Sequence, residues 1–224
     1  MSQSTSLAYK RQSNFSEVCV FFRAVLRRPI LTGAIVPSSP QLAYAMTANI
    51  GLEQARTVVE IGAGTGAFTG PIATLAPQGA LVMTLEIDPR LCRFLICRYP
   101  RVRVITDSAV NLSRHMQGQG QAPADCIISG LPWVVFSFEL QRVLLQSIVG
   151  NLHPEGCFTT FAYSHTAWLP SARRFRRLLG SHFQDVQASR VVWRNLPPAF
   201  VYRCRKPVAV EEPNGSICMP QKVH

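Results

Sequence analysis

Acidic residues and lysine are scarce in this 224-residue sequence. It has 12 Asp and Glu against 23 Lys and Arg, for a formal net charge of +11 at pH 7, and 20 of the 23 basic residues are arginine. The planar guanidinium group donates paired hydrogen bonds that suit phosphate oxygens. We therefore expect an anionic partner, but the charge alone leaves open whether its phosphates belong to nucleic acid or to a membrane surface.

The sequence also lacks a C-x-x-C pair, a secretory signal and a long apolar run. Its seven cysteines are odd in number and several lie in apolar runs, which favours buried free thiols in a reducing cytoplasm. The early apolar run at 18–22 ends at Arg23, and no uncharged run approaches the ~20 residues that cross a bilayer. No cluster of His, Cys and Asp has the spacing of metal ligands, so we predict no metal.

Strands and helices alternate from residue 56 onward. The predicted strands are 57–61, 80–86, 101–106, 124–129, 156–163, 184–193 and 198–205. The predicted helices between them are 67–76, 88–98, 108–116, 138–150 and 171–180. This alternation predicts an α/β fold, a Rossmann-like doubly wound sheet of seven strands. The short link at 195–198 has no room for a crossover helix, so the last two strands must pair antiparallel.

The region before this domain predicts two helices. Residues 1–14 are polar and predicted to be disordered, 15–50 to form N-terminal helices (15 to about 28, and 40–50), 51–206 the main domain and 207–224 a flexible tail. On a helical wheel the first helix has one apolar and one basic side, which is typical of a helix lying in a lipid interface. The predicted membrane-binding residues are Phe15, Phe21, Phe22, Arg23, Leu26, Arg27 and Arg28. The alternative is that the apolar stripe packs on the domain.

A second basic cluster is equally ambiguous. Arg173, Arg174, Arg176 and Arg177 either hold lipid phosphates or form the solvated face of a helix.

Residues that can bind a nucleoside follow four successive predicted strands. A G-x-G-x-G turn at Gly62, Gly64 and Gly66 follows the first strand, with Glu60 two residues before it. The second strand ends at Glu86, where a carboxylate commonly binds ribose hydroxyls. The third leads into 107–109 and the fourth into 129–133 (SGLPW). Each has a plain structural alternative, but together they would line the crevice where open α/β sheets bind ligands.

These motifs resemble class I methyltransferases, and within them the bacterial phospholipid N-methyltransferases, which are related to rRNA adenine dimethylases. The resemblance covers about 15–206 and is most specific at 33–39 (GAIVPSS), 129–132 (SGLP) and 192–202 (VWRNLPPAFVY). It implies S-adenosylmethionine as cofactor and methylation of the amine of phosphatidylethanolamine or its methylated derivatives, toward phosphatidylcholine. It also implies a cytoplasmic protein bound peripherally to the inner face of an anionic membrane, with no stable nucleic acid complex. The third-strand motif departs from the usual Gly-Asp-Ala, reading TDSA at 106–109.

The resemblance also assigns roles to residues. The cofactor-binding residues are Ser38, Ser39, Glu60, Gly62, Ala63, Gly64, Gly66, Glu86, Ile87, Asp107, Ser108, Ala109 and Ser129. The residues assigned to catalysis and to the accepting amine are Ser129, Gly130, Leu131, Pro132 and Trp133. The resemblance names no base for the amine proton; Tyr44, Tyr163 and His165 are candidates by their expected proximity to the site.

Two other functions remain open from the sequence. One is methylation of RNA adenine or of a small amine, which the Ser and Trp of the SGLPW segment and the absence of a helical RNA-binding domain disfavour. The other is a membrane protein that binds the cofactor without turning it over.

Overall fold

The computed structural model describes residues 38–117 and 122–208. The predicted disordered start, the helix at 15–28 with all seven membrane-binding residues, most of the 33–39 motif and the tail from 209 lie outside the described residues. No helix within the described ranges is long and apolar enough to cross a membrane.

Seven strands and six α-helices alternate along the described chain. The strands are β1 Thr57–Ile61, β2 Leu81–Glu86, β3 Arg103–Thr106, β4 Ala124–Ser129, β5 Leu152–Tyr163, β6 Phe183–Ala188 and β7 Ala199–Pro207. The helices are α1 Pro40–Thr47, α2 Thr69–Leu75, α3 Pro89–Arg98, α4 Leu112–Gln117, α5 Phe138–Val149 and α6 Pro170–His182. Every predicted strand and helix of the main domain is present, with ends that differ by a few residues.

One mixed sheet contains all seven strands, in the order β3-β2-β1-β4-β5-β7-β6. Strands β1 to β5 pair in parallel, whereas β7 runs antiparallel between β5 and β6. The predicted Rossmann-like doubly wound fold and the antiparallel final pair are therefore confirmed. Because β1 to β5 run in parallel, their carboxyl ends meet at one edge of the sheet, which we call the carboxyl edge.

The predicted strand 184–193 was wrong at its end. Strand β6 stops at Ala188, and the following residues contribute only an isolated bridge from Val192 to Ala199. The Ser189 hydroxyl accepts a hydrogen bond from the Val201 amide at 2.9 Å, which helps to turn the chain away from the sheet. Residues 189–198 therefore form a ten-residue connection at the carboxyl edge, not the short link expected.

Helices cover both faces of the sheet because neighbouring strand residues point to opposite sides. Val58 belongs to the apolar cluster under α1 and α2, and Val59 to the cluster under α5 and α6. Helix α1 packs into the first cluster and is held by partly buried polar contacts as well. Arg203 of β7 donates to the carbonyls of Ala45 and Ala48 at 2.8 and 3.2 Å.

Candidate active site

The glycine turn after β1 depends on backbone conformations that favour glycine. Gly62, Gly64 and Gly66 all have positive φ, at 72°, 58° and 86°. A side chain at Gly64 would meet no atom within 4 Å, so the backbone there faces open space that a ligand can approach. The turn is held to β2 because the Gly62 amide donates to the Leu85 carbonyl at 2.8 Å.

Glu86 joins the glycine turn to the start of α3. One carboxylate oxygen accepts from the Gly64 amide at 2.8 Å, and the other from the amides of Ile87 and Asp88 at 2.8 and 2.9 Å. The residue is only 1% exposed. Burial raises the pKa of Glu86, although the three amide donors oppose that rise. Its role in ribose binding stays a prediction, and its structural role in shaping the turn is direct.

Glu60 is a buried carboxylate with an unused oxygen. Its Oε2 accepts hydrogen bonds from the hydroxyls of Thr69 and Thr84 at 2.7 and 2.9 Å, whereas Oε1 has no partner. Burial raises the pKa of Glu60 to about 7, against the opposing effect of the two threonine hydroxyls. A buried acceptor without a partner calls for a donor from a ligand or from water, so this residue fits a cofactor that brings donors beneath the turn.

The raised pKa of Glu60 makes stability depend on pH. Because the pKa is about 7 in the folded protein and 4.5 ordinarily, the folded state binds the proton more tightly, and stability is lost as pH rises through 7. The cofactor-free protein should therefore lose roughly 2 kcal/mol of unfolding free energy between pH 5.5 and 8 through this group. Denaturant titrations of Glu60→Gln at these two pH values should show a decrease in unfolding free energy that is smaller by this amount.

Glu53→Gln alters an exposed carboxylate and should keep the wild-type dependence of the unfolding free energy on pH. The same pH dependence in both variants would contradict the assignment to Glu60.

A cleft of about 410 Å³ opens at the carboxyl edge beside the glycine turn. The predicted residues that line it are Gly62, Ile87, Asp107, Ser108, Ala109 and Leu131. The lining residues that the sequence did not suggest are Leu85, Phe136, Leu140 and Leu144. Apolar walls with a few polar groups at one end suit a flat base attached to a sugar, so we call this the nucleoside cleft.

Asp107 lies in the nucleoside cleft with both carboxylate oxygens engaged. One oxygen accepts from the Ser108 amide and the Asn111 side chain at 2.7 and 2.9 Å, and the other lies 2.7 Å from His115 Nε2. Burial acts to raise the pKa of Asp107, but these three partners outweigh it and hold its pKa below the ordinary value. Asp107 is thus a fixed anion at the cleft wall. The pairing with His115 was not foreseen, because Asp107 lies in the connection between β3 and α4, whose path the sequence does not predict.

A second cleft of about 530 Å³ lies on the other side of the segment after β4. Its lining is apolar and rich in aromatic rings, and we call it the aromatic cleft. The lining residues are Pro132, Trp133, Val134, Val135, Phe161, Ala162, Tyr163, Thr166, Ala167, Ala172, Phe175, Phe200 and Tyr202.

The segment 131–136 separates the two clefts. Leu131 and Phe136 line the nucleoside cleft, whereas the residues between them, from Pro132 to Val135, line the aromatic cleft. The predicted catalytic segment 129–133 therefore lies between the nucleoside cleft and a second, apolar space.

Ser129 and Trp133 are buried within this segment, and their side chains are hydrogen-bonded to each other. The Ser129 hydroxyl accepts from Trp133 Nε1 at 3.1 Å and from the Leu131 amide at 3.3 Å, and Ser129 has no exposed surface. The indole stacks on Phe175 of α6, with ring centroids 4.5 Å apart, and only 2% of Trp133 is exposed. Ser129 was predicted to orient the amine and Trp133 to form an aromatic wall. The structure ties the two side chains to each other, leaves Ser129 no exposed surface and places Trp133 in the lining of the aromatic cleft.

Gly130 brings β4 very close to the glycine turn. Its amide donates to the Ile61 carbonyl at 2.9 Å, and a Cβ on Gly130 would lie 2.4 Å from the Gly62 carbonyl oxygen. No side chain fits there without moving the backbone that lines the nucleoside cleft.

The remaining predicted residues lie in different places. Ala63 is buried within the turn, and its carbonyl accepts from the Gly66 amide. The Ser39 hydroxyl caps α1 through the Leu42 amide, at 3.2 Å. Neither Ser38 nor Ser39 is among the residues that line the two clefts.

The candidate bases lie in different surroundings. Tyr163 lines the aromatic cleft and stacks against His165 with centroids 5.8 Å apart. Tyr44 is 72% exposed on α1 and lines neither cleft. Burial raises the pKa of the Tyr163 phenol, so this residue carries its proton at neutral pH.

No cluster of His, Cys, Asp and Glu in residues 38–117 or 122–208 could hold a metal ion.

Comparisons with known proteins agree with this site. No family model matches the chain. Among solved structures, an O-methyltransferase from Bacillus cereus in complex with SAH superposes with a TM-score of 0.59 at 16% identity, covering 82% of this chain and 90% of that one. The N-methyltransferase NodS from Bradyrhizobium japonicum gives 0.56 at 14% identity, covering 75% and 93%. These likenesses confirm the class I methyltransferase fold, and the bound SAH of the first agrees with S-adenosylmethionine as the predicted cofactor.

A relative with higher sequence identity than these structures shows the family of the chain. The ornithine lipid N-methyltransferase of Singulisphaera acidiphila is 35% identical over 175 residues, which are 77% of this chain and 87% of that protein. With that identity over most of both chains, a class I fold and a nucleoside cleft beside an apolar one, the chain belongs to the family of this lipid N-methyltransferase.

Proposed function

We propose that this protein transfers methyl groups from S-adenosylmethionine to the amine of a membrane lipid. The observation that carries the proposal is the aromatic cleft, an apolar space that adjoins the nucleoside cleft across 131–136. An RNA base brings charged phosphates with it, whereas a lipid brings apolar surface that such a cleft accommodates. The named relative acts on ornithine lipid, so we take ornithine lipid and the predicted phosphatidylethanolamine as the two candidate acceptors.

The protein's own residues hold the cofactor and exclude water. When bound, S-adenosylmethionine supplies an activated methyl group on a sulfonium. The glycine turn, Glu60, Ile87 and the fixed carboxylate of Asp107 are the groups that would hold it, with Glu60 Oε1 free to accept from a cationic amine. Methyl transfer then depends mainly on holding the accepting lone pair in line, in a dry site.

The aromatic cleft favours a nitrogen that becomes positively charged. Its wall includes Phe161, Tyr163, Phe200 and Tyr202, and aromatic faces stabilise a nearby cation by up to about 2 kcal/mol when water is excluded. Trp133 and Phe175 continue that wall. The cleft thus suits the cationic product of each methylation step better than the neutral amine.

The acceptor is tested by supplying candidate lipids side by side. Purified full-length protein would be incubated with radiolabelled S-adenosylmethionine and vesicles of phosphatidylcholine alone, or with added ornithine lipid or phosphatidylethanolamine, and the lipids separated. We expect labelled, N-methylated product from at least one amine lipid and none from phosphatidylcholine alone, which has no free amine. Cofactor binding without lipid product, or label found only in added RNA or small amines, would contradict the proposal.

Tyr163 keeps its proton at neutral pH, so we expect its hydroxyl to bind the lipid by a hydrogen bond in the aromatic cleft. In Tyr163→Phe we expect KM for the amine lipid to rise by about 5-fold, as for the loss of one hydrogen bond worth about 1 kcal/mol, with little change in kcat. Tyr44→Phe removes a hydroxyl from an exposed tyrosine and should retain wild-type kinetics. Equal KM values for the two variants would contradict this role of Tyr163.

A further inference from the structure

Three large apolar side chains are exposed on two neighbouring connections at the carboxyl edge. Trp168 is 66% exposed and follows β5, while Trp193 and Leu196 are 77% and 71% exposed and lie between β6 and β7. The two connections are joined, because the Ser164 amide and hydroxyl both donate to the Pro198 carbonyl, at 2.9 and 3.0 Å. We call Trp168, Trp193 and Leu196 the aromatic edge.

The part of the chain that carries the aromatic edge is rich in basic residues and poor in acidic ones. From residue 164 to 208 the only acidic residue is Asp185. The basic residues in that stretch are Arg173, Arg174, Arg176, Arg177, Arg190, Arg194, Arg203, Arg205 and Lys206. Arg190 and Arg194 are exposed in the same connection as Trp193, and neither forms a salt bridge within the described residues. Exposed tryptophans among unpaired arginines differ from the singly scattered apolar residues of an ordinary surface.

The aromatic edge borders the aromatic cleft. Ala167 lies next to Trp168 and lines that cleft, and Phe200, which follows the β6–β7 connection, lines it too. The start of α1 lies beside the same connection, since the Ser39 amide donates to Asn195 Oδ1 at 2.9 Å.

We infer that the aromatic edge, with Arg190 and Arg194, is the surface by which the catalytic domain docks on an anionic lipid bilayer. Tryptophan favours the boundary between headgroups and acyl chains, because its ring is apolar and its N–H is polar. Guanidinium groups pair with lipid phosphates at that level. Docking there would turn the mouth of the aromatic cleft toward the membrane. The inference rests on the proposed function for its lipid acceptor, but the contact itself can be measured without turnover.

The tryptophans themselves report the contact. The sequence has three, and Trp133 is buried while the other two are exposed. Full-length protein with Trp168→Phe or Trp193→Phe would be mixed with vesicles of phosphatidylcholine and phosphatidylglycerol, with and without brominated acyl chains. We expect the remaining exposed tryptophan of each variant to shift its emission to the blue, to gain protection from acrylamide, and to be quenched by the brominated lipid. The double variant should show none of these changes.

Charge variants test the same surface independently. Arg190→Gln with Arg194→Gln should weaken partitioning onto these vesicles by about 30-fold, since each basic residue at an anionic surface contributes about 1 kcal/mol. Arg93→Gln with Arg114→Gln changes the net charge equally on the exposed surfaces of α3 and α4, and should weaken it much less. Equal losses from the two pairs would overturn the inference.

Two further results would also overturn it. Vesicle binding without any change at Trp168 or Trp193 would assign the contact to another surface. Protection of both tryptophans from acrylamide before lipid is added would mean that a protein segment covers the edge.

Methylation of a short-chain amine lipid below its micelle concentration separates this inference from the proposed function. Turnover of that monomeric lipid with no tryptophan change on vesicles would support the function and contradict the docking surface. Tryptophan changes on vesicles without turnover of any amine lipid would support the docking surface and contradict the proposed function.

Discussion

A Glu86→Ala variant should bind S-adenosylmethionine at least about 100-fold more weakly than wild type and should also be less stable. The substitution leaves three amides, those of Gly64, Ile87 and Asp88, without the acceptor that they have in the native protein. A buried donor left unsatisfied costs about 1–3 kcal/mol, so we expect the free energy of unfolding to fall by about 3 kcal/mol or more. The glycine turn then keeps only the backbone hydrogen bond from Gly62 to Leu85 as its described hydrogen bond to β2, and the cofactor loses a preformed site.

Two measurements and two further variants separate these effects. Denaturant unfolding gives the stability change, and calorimetric titration at a temperature where both proteins are folded gives the affinity. Glu53→Ala removes an exposed carboxylate in the turn before β1 and should match wild type in both. Glu86→Gln keeps one oxygen acceptor and should fall between wild type and Glu86→Ala. Wild-type affinity in folded Glu86→Ala would exclude this carboxylate from the cofactor site.

The Gly130→Ala variant should combine lost affinity with lost stability for a different reason. The added methyl group would stand 2.4 Å from the Gly62 carbonyl oxygen, a contact that only backbone movement can relieve. Overpacking of this kind lowers the free energy of unfolding by about 1–3 kcal/mol. The backbone that must move is that of the glycine turn itself. We expect cofactor affinity to drop by about 10-fold or more, with a parallel fall in kcat because 131–136 shifts as well.

Gly79→Ala is the matched control. A Cβ at Gly79 meets no atom within 4 Å, and its backbone φ is one that alanine adopts readily. That variant should show wild-type stability, affinity and turnover. If Gly130→Ala behaved in the same way, the close approach of β4 to the turn would have no functional role.

The sequence predicts the position of the site better than its internal contacts. Parallel strands bring their carboxyl ends to one edge, so Gly62, Asp107 and Leu131 could be placed at one ligand cleft from their positions after strands. The orientation of Trp133 could not be predicted in this way. It depends on Phe175, which is distant in sequence and stacks on the indole only after α6 has packed.

Two local features depend on contacts that residue propensity does not contain. The β-branched pair Val191 and Val192 favoured a longer strand β6, whereas the strand stops at Ala188 and the Ser189 hydroxyl accepts from the Val201 amide. The Ser39 hydroxyl caps α1 and the Ser39 amide binds Asn195, so its assignment to the cofactor stays a prediction.

The short turn between the two clefts belongs to the wall of both. The Phe136 amide donates to the Trp133 carbonyl at 3.2 Å, and Gln141 of α5 donates to the same carbonyl, so we expect binding in one cleft to affect the other. Thermodynamic linkage then requires reciprocity: if the methyl donor tightens lipid binding by some factor, the lipid tightens donor binding by that same factor. Under the proposed function, an enzyme with this coupling would bind its soluble cofactor more tightly where its lipid is abundant, and methyl consumption would follow membrane composition.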